Sequence, residues 1–207
     1  MGLSQQLTAA GRTRWLDVGC GADFTPGFEY LDILPIGAVP EELRRLYYRA
    51  DIANLTDRDL AQLGTFDLVR MQHTLEHFGF EDGVRVLGNC AEILNPGGMI
   101  LVTVPDLLKH IRAYLKNDYD SVPGFREWAQ ERVPDDAPPS AYFSVFTHSL
   151  AYEPHKWCYD YDGLSYQLRR TGRFTSITRL EMRDPLAEVP FTHNRPAEDV
   201  CVYACRV

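Results

Sequence analysis

The sequence predicts an α/β protein built on a doubly wound, mostly parallel sheet of seven strands, the last two antiparallel. Three observations carry that expectation. Short runs rich in strand-forming residues alternate with helix-patterned segments along the chain, the order of βα units wound around a parallel sheet. One run, Met99 to Val104, is almost unbroken in its apolar character, as befits a parallel strand covered on both faces. The run Arg14 to Val18 passes directly into Gly19-Cys20-Gly21, a strand-then-Gly-x-Gly arrangement used where backbone must approach a ligand closely.

Taken in order, residues 4–10 fit a short helix ahead of the first strand, Arg14 to Val18. The second strand, Phe28 to Leu31, ends in Asp32. Residues 22–27 hold Pro and Gly and cannot make a full crossover helix, so the first crossover is expected to be a loop. Pro40-Glu41-Glu42 is a helix-start signature, and Tyr47 to Ala50 is the third strand, closing at Asp51-Ile52. Asp57 to Leu63 reads as a helix ended by Gly64, and Phe66 to Met71 as the fourth strand. Glu81 to Leu94 reads as a helix stopped by Asn95-Pro96-Gly97-Gly98. Beyond the fifth strand, Leu107 to Leu115 has Leu, Ile and Tyr at helical spacing. Residues 116–158 carry several prolines and many aromatics with little periodicity, and are expected to form an insertion or lid. Tyr161 to Thr171 returns to a helix ended by Gly172. Phe174 to Met182 and Asp199 to Val207 read as two antiparallel strands joined by a Pro-bearing loop. With 207 residues and no internal repeat, residues 1–207 are expected to be one domain.

Composition removes several function classes. The net charge is −8, a field that repels polyphosphates, so no nucleic-acid partner is expected. There is no run of 18 apolar residues, and residues 1–13 lack an apolar signal segment, so no membrane association is expected. The five cysteines (Cys20, Cys90, Cys158, Cys201 and Cys205) are odd in number, without framework spacing or C-x-x-C. Reduced thiols in a cytoplasmic setting follow, with Cys201 and Cys205 on one face of the last strand as small core residues.

The chemistry concentrates between Arg14 and Pro35. An acid at the tip of the second strand of a parallel sheet can accept hydrogen bonds from both hydroxyls of a ribose. Asp32 stands there, beside the glycine turn, and the two describe a pocket for a nucleoside-bearing cofactor. The third glycine and the helix N-terminus needed by a dinucleotide pyrophosphate are missing, which favours a cofactor without phosphates over NAD. Asp32 lies 13 positions after Gly19 (32 − 19), whereas the dinucleotide fingerprint places its acid about 20 residues on.

Leu16-Asp17-Val18-Gly19-Cys20-Gly21 resembles the first motif of class I S-adenosylmethionine-dependent methyltransferases. Ala50-Asp51-Ile52, Phe66-Asp67-Leu68-Val69, His73-Thr74-Leu75-Glu76-His77 and Leu94-Asn95-Pro96-Gly97-Gly98 match further motifs of that family in the right order. The spacing G-C-G-x4-P-G-aromatic-x3-D is similar to a small subgroup, some of whose members belong to sugar or polysaccharide pathways. Val104-Pro105-Asp106 and His155-Lys156-Trp157 extend that likeness. The resemblance implies a Rossmann-like methyltransferase fold whose last strand inserts antiparallel, with S-adenosylmethionine as cofactor and S-adenosylhomocysteine as product. It implies a cofactor-binding set of Asp17, Gly19, Cys20, Gly21, Asp32, Ile33, Asp51, Ile52, Gln72 and His73. In that set Asp17 holds the loop or the methionine ammonium, and the glycines admit the cofactor. Asp32 takes the ribose, Asp51 the adenine amino group, and Ile52 stacks on the ring.

An oxygen nucleophile must shed its proton, and histidine is the natural acceptor near neutral pH. His155 is the first candidate base, with His148 and His73 behind it; for His77 the alternative role is to cap or orient the local turn. The expected reaction is O-methylation of a small-molecule or carbohydrate acceptor, with no metal. A non-catalytic cofactor-binding or scaffold protein of the same fold is the alternative. His73-x-x-Glu76-His77 also has the H-x-x-E-H spacing of inverted zinc peptidases, but that site needs a helix bearing both histidines. Here the motif directly follows a strand, where a turn is more natural.

Overall fold

The computed structural model describes residues 8–9, 11–134, 136–148, 154–180 and 197–207. Seven strands, β1 (Trp15–Val18), β2 (Glu29–Asp32), β3 (Tyr47–Arg49), β4 (Phe66–Gln72), β5 (Leu94–Pro105), β6 (Phe174–Leu180) and β7 (Asp199–Arg206), form one sheet. Their order is β3-β2-β1-β4-β5-β7-β6. Strands β1 to β5 pair in parallel, while β7 runs antiparallel to both β5 and β6. Six strands therefore share one direction, and the last is inserted against them. The chain winds outward from β1 through β2 to β3, then returns to β4 and winds the other way. The tips of β1 and β4 thus border the switch point, where open parallel sheets bind ligands.

Local sequence explains the helices α1 (Asp57–Leu63), α2 (Phe80–Glu92), α3 (Leu107–Lys116), α4 (Pro123–Gln130), α5 (Pro139–His148) and α6 (Tyr161–Arg170) of the described residues. Thr56 and Asp59 form a reciprocal capping box at the start of α1, and Gly64 ends it at φ 64°. Asp106 and Asp160 accept from Leu108 N–H and Gly163 N–H at the starts of α3 and α6. Side chains of α1, α2 and α6 (Leu63, Val86, Leu87, Leu164, Leu168) enter the core on one face of the sheet. The opposite face is closed by Phe28, Tyr30, Val39 and Trp15, with no helix among the described residues contributing a buried side chain there.

The sequence expectation holds for the loop crossover between β1 and β2 and for the order of elements, and it is corrected in three places. Glu41–Leu46 is a 3₁₀ helix rather than an α-helix. The helix expected to reach Leu94 ends at Glu92, and Leu94 with Asn95-Pro96-Gly97-Gly98 forms the first part of β5, Leu94 pairing with Phe66 ahead of a register shift. The 116–158 segment is not structureless: it carries α4 and α5, whose aromatics form a cluster of their own around Tyr119, Phe125, Tyr142 and Phe146. Of the expected helix over residues 4–10 only residues 8–9 are described, and they are helical; Met182 and residues 181–196 of the connection from β6 to β7 lie outside the described residues. Cys201 is buried as expected, and Cys205 partly so.

The edge of the sheet is fastened by Glu29, which accepts from Arg14 Nε at 2.7 Å, Arg14 Nη2 at 2.9 Å and the Tyr48 hydroxyl at 2.5 Å. Burial works to raise the Glu29 carboxyl, but Arg14 and Tyr48 outweigh it and hold it below the usual range. A lowered folded pKa contributes stability above the unfolded value of about 4.3, lost as pH falls through the folded value. Arg14 is partly exposed, so the contribution is about 1 kcal/mol or less. Glu29→Gln should therefore flatten the loss of stability below about pH 4, read by urea unfolding at pH 3 to 7. Parallel curves for the two proteins would remove this pair from the acid limb.

Candidate active site

The glycine turn follows β1 at the switch point. Gly19 (φ 71°) and Gly21 (φ 54°) both occupy the left-handed region. A Cβ on Gly19 would collide with Thr74 Oγ1, whereas one on Gly21 would meet nothing within 4 Å. Gly19 must be glycine for packing, and Gly21 keeps an open cradle. Asp32, at the tip of β2, accepts from Gly21 N–H at 2.8 Å and Leu34 N–H at 3.1 Å. Its carboxylate braces the turn and keeps spare lone pairs. Ile33 beside it is 66% exposed. Asp51 caps the 3₁₀ turn Ile52–Asn54 through Ala53 N–H at 2.9 Å, while the Ile52 side chain is buried in the sheet core.

Beneath the turn lies a buried ion pair. Asp17 and Arg70 are direct cross-strand neighbours on β1 and β4. Arg70 Nε donates to Asp17 Oδ1 at 3.0 Å, and Arg70 Nη2 donates to Asp17 Oδ2 and, at 2.8 Å, to Thr25 Oγ1. Phe28 lies 4.5 Å beneath the guanidinium. Asp17 thus holds the loop through Arg70 and Thr25. Burial, with Asp32 and Asp17 nearby, pushes the Cys20 thiol up, so it stays protonated.

The end of β4 carries a second group. His73 takes a left-handed backbone (φ 50°), with Nε2 3.2 Å from Asp199 Oδ2 and Nδ1 3.3 Å from Glu76 Oε1. Burial works to lower its pKa, but Asp199 and Glu76 outweigh burial and push it up to about 10. His73 is therefore a cation at neutral pH, with no ring lone pair to act as a base. Leu75–His77 is a single 3₁₀ turn, not the helix an H-x-x-E-H zinc peptidase requires.

A strap over residues 154–160 crosses the tips of β4 and β5. Lys156 and Trp157 N–H both donate to Glu76 O, at 2.8 and 3.2 Å, and Leu107 N–H donates to Tyr159 O at 2.6 Å. The strap brings His155 to His77, their rings 5.3 Å apart. Burial holds the His155 imidazole below its ordinary pKa, hence neutral near pH 7. His148 is exposed at the end of α5, its contacts local to Ser144 and Thr147.

Of the residues expected from sequence, Gly19, Cys20, Gly21, Asp32 and Ile33 are gathered at one turn. Gln72 and His73 stand at the end of β4, and Asp51 stands at the tip beyond β3. Ile52 lies in the core, and Asp17 is buried in its pair with Arg70. Sequence reasoning missed Arg70, Thr74 and the pinning of the Lys156 and Trp157 backbone, next to His155, to Glu76. For Arg70 a signal existed: one lone cation and one lone acid, each inside an apolar parallel strand, must find one another.

A family model described as "Methyltransferase domain" matches residues 3–151. No curated protein matches the sequence. Among solved structures, the S-adenosylmethionine-dependent methyltransferase SibL is similar over 99% of this chain at 18% identity and TM-score 0.55. This chain spans only 53% of SibL. The N-methyltransferase NodS from Bradyrhizobium japonicum WM9, in complex with S-adenosylhomocysteine, is similar over 99% of this chain and 83% of its own, at 12% identity and TM-score 0.51. The magnesium protoporphyrin IX methyltransferase of Synechocystis PCC 6803, also with bound S-adenosylhomocysteine, is similar over 99% and 80%, at 12% identity and TM-score 0.54.

Proposed function

This chain belongs to the methyltransferase domain family, and we propose that it methylates an oxygen of a small-molecule or carbohydrate acceptor, using S-adenosylmethionine. The observation that carries this reading is the glycine turn braced by Asp32. Gly21 leaves a cradle with nothing within 4 Å of a would-be Cβ, and Asp32 has carboxylate lone pairs to spare beside an exposed Ile33. A ribose with two hydroxyls and an apolar purine fit that pairing of a carboxylate with an aliphatic side chain. The sulfonium cofactor supplies the electrophilic methyl and its own leaving group.

The chain's own residues do the rest. Gly19 and Gly21 let backbone approach, Asp32 holds the ribose, and Asp51 receives the adenine amino group. Gln72 and the His73 cation stand at the end of β4, where the methyl is passed on. The acceptor faces the strap, and its hydroxyl proton leaves at the cluster of Glu76, His77 and His155. Aromatic side chains of the lid offer flat surfaces to the rest of the acceptor.

His155→Ala should lower turnover while leaving cofactor affinity nearly unchanged, by about 10²- to 10⁴-fold if it serves proton transfer. Steady-state kinetics alongside calorimetry with S-adenosylhomocysteine separates the two. Turnover equal to the parent protein would dismiss His155 from the reaction.

A further inference from the structure

We infer that Glu76, His77 and His155 form a binding site for one divalent first-row metal ion at the acceptor end of the crevice. One ligand atom from each of the three residues lies within 4.8 Å of the other two. Ligand atoms about 2.1 Å from a common ion stand up to about 4.2 Å apart, so small side-chain rotations close the set. Glu76 is 2% exposed, yet neither of its carboxylate oxygens accepts a hydrogen bond, and His77 Nδ1 is also buried without a partner. The His73 contact at 3.3 Å supplies charge to Glu76 Oε1 but lacks hydrogen-bond geometry, and it leaves Oε2 unserved. His73 therefore offsets the charge from one side only, and a buried carboxylate oxygen left without any partner is costly unless a further group completes it.

The third ligand is held in advance. Lys156 and Trp157 N–H bind the carbonyl of Glu76 itself, so the strap bearing His155 is fixed to the residue carrying the acid. Two imidazoles and one carboxylate suit zinc, iron or another first-row divalent ion better than magnesium, and three protein ligands leave positions open. His73 is not part of the set, because its ring lies between Asp199 and Glu76. The site therefore differs from the peptidase arrangement, in which the two histidines of H-x-x-E-H are the ligands. Its use rests on the methyl-transfer reading: the open positions take acceptor oxygens and make a bound hydroxyl more acidic, so that with an ion present His155 acts as a ligand instead of the proton acceptor and the proton passes to water.

The test uses the full chain without a histidine tag, stripped with a chelator and titrated separately with Zn²⁺, Mn²⁺ and Mg²⁺ by calorimetry, with metal content measured per chain. One Zn²⁺ or Mn²⁺ per chain is expected. Glu76→Gln and His155→Asn should weaken it by about 100-fold or more, the upper end of what losing an outer partner alone costs. Co²⁺ absorption bands lost in the variants report the same site without turnover. His155→Asn, on the strap, serves if Glu76→Gln fails to fold. No retained ion, or equal binding by the variants, would overturn the site. S-adenosylhomocysteine titrated into the same samples keeps the two readings apart. Cofactor binding without any ion sinks the metal site alone, whereas an ion bound without cofactor affinity supports the site and sinks the methyltransferase reading.

Discussion

Asp32→Ala should cost about 3 kcal/mol or more of cofactor binding, a loss of at least about 100-fold in affinity. In the proposed site two charge-assisted hydrogen bonds to a ribose would be removed at once, each contributing about 1.5–3 kcal/mol. The brace on Gly21 N–H is removed with them, so the turn itself loosens. Those N–H groups lie at a partly exposed strand tip and can turn to water, which keeps the loss in folding stability to about 1 kcal/mol. Calorimetry with S-adenosylhomocysteine reads the first effect and thermal unfolding the second. Asp32→Asn keeps an acceptor for one N–H and should fall between. Unchanged affinity in the alanine variant would remove Asp32 from the site and take the nucleoside pocket with it.

Arg70→Met should destabilise the fold by about 3–5 kcal/mol, because it leaves the Asp17 carboxylate buried and uncompensated. Arg70 also holds Thr25 at 2.8 Å and covers Phe28, so the glycine loop loses its anchor in the same step. Replacing both partners, Asp17→Leu with Arg70→Met, removes the stranded charge and should recover most of the loss, since buried pairs are often neutral against well-packed apolar residues. Urea unfolding of the three proteins measures the cycle. A single variant within about 1 kcal/mol of the parent would mean that the pair contributes little and that water reaches Asp17.

The sheet was legible because its signals are local. Apolar runs, capping acids and terminal glycines are written in consecutive residues, so β4, α1 and β7 fall within a residue or two of their expected bounds. The glycine turn and Asp32 were legible for the same reason. What sequence could not supply is the company residues keep across long separations. The strap is one case, since nothing in His155-Lys156-Trp157 announces that its backbone will bind Glu76. Ile52 is another: following an acid at a strand end is compatible with a ligand face or with the core, and packing under α2 decided for the core. Helix α5 escaped because its apolar residues fall on several sides, which blurs the 3.6-residue period that marks a one-sided helix, whereas α4 is one-sided but only eight residues long, too short to show that period.

The aromatic cluster of residues 119–146 has an interior separate from both cores of the sheet. A part that is packed chiefly against itself behaves as a cassette. On the proposed reading, substitutions among Tyr119, Phe125, Tyr142 and Phe146 would change the surface offered to an acceptor near His155, against which Phe146 packs, without entering the cores of the sheet. Selectivity toward new acceptors is therefore open to engineering by exchanging that cassette as a block, with the strap and the glycine turn left in place.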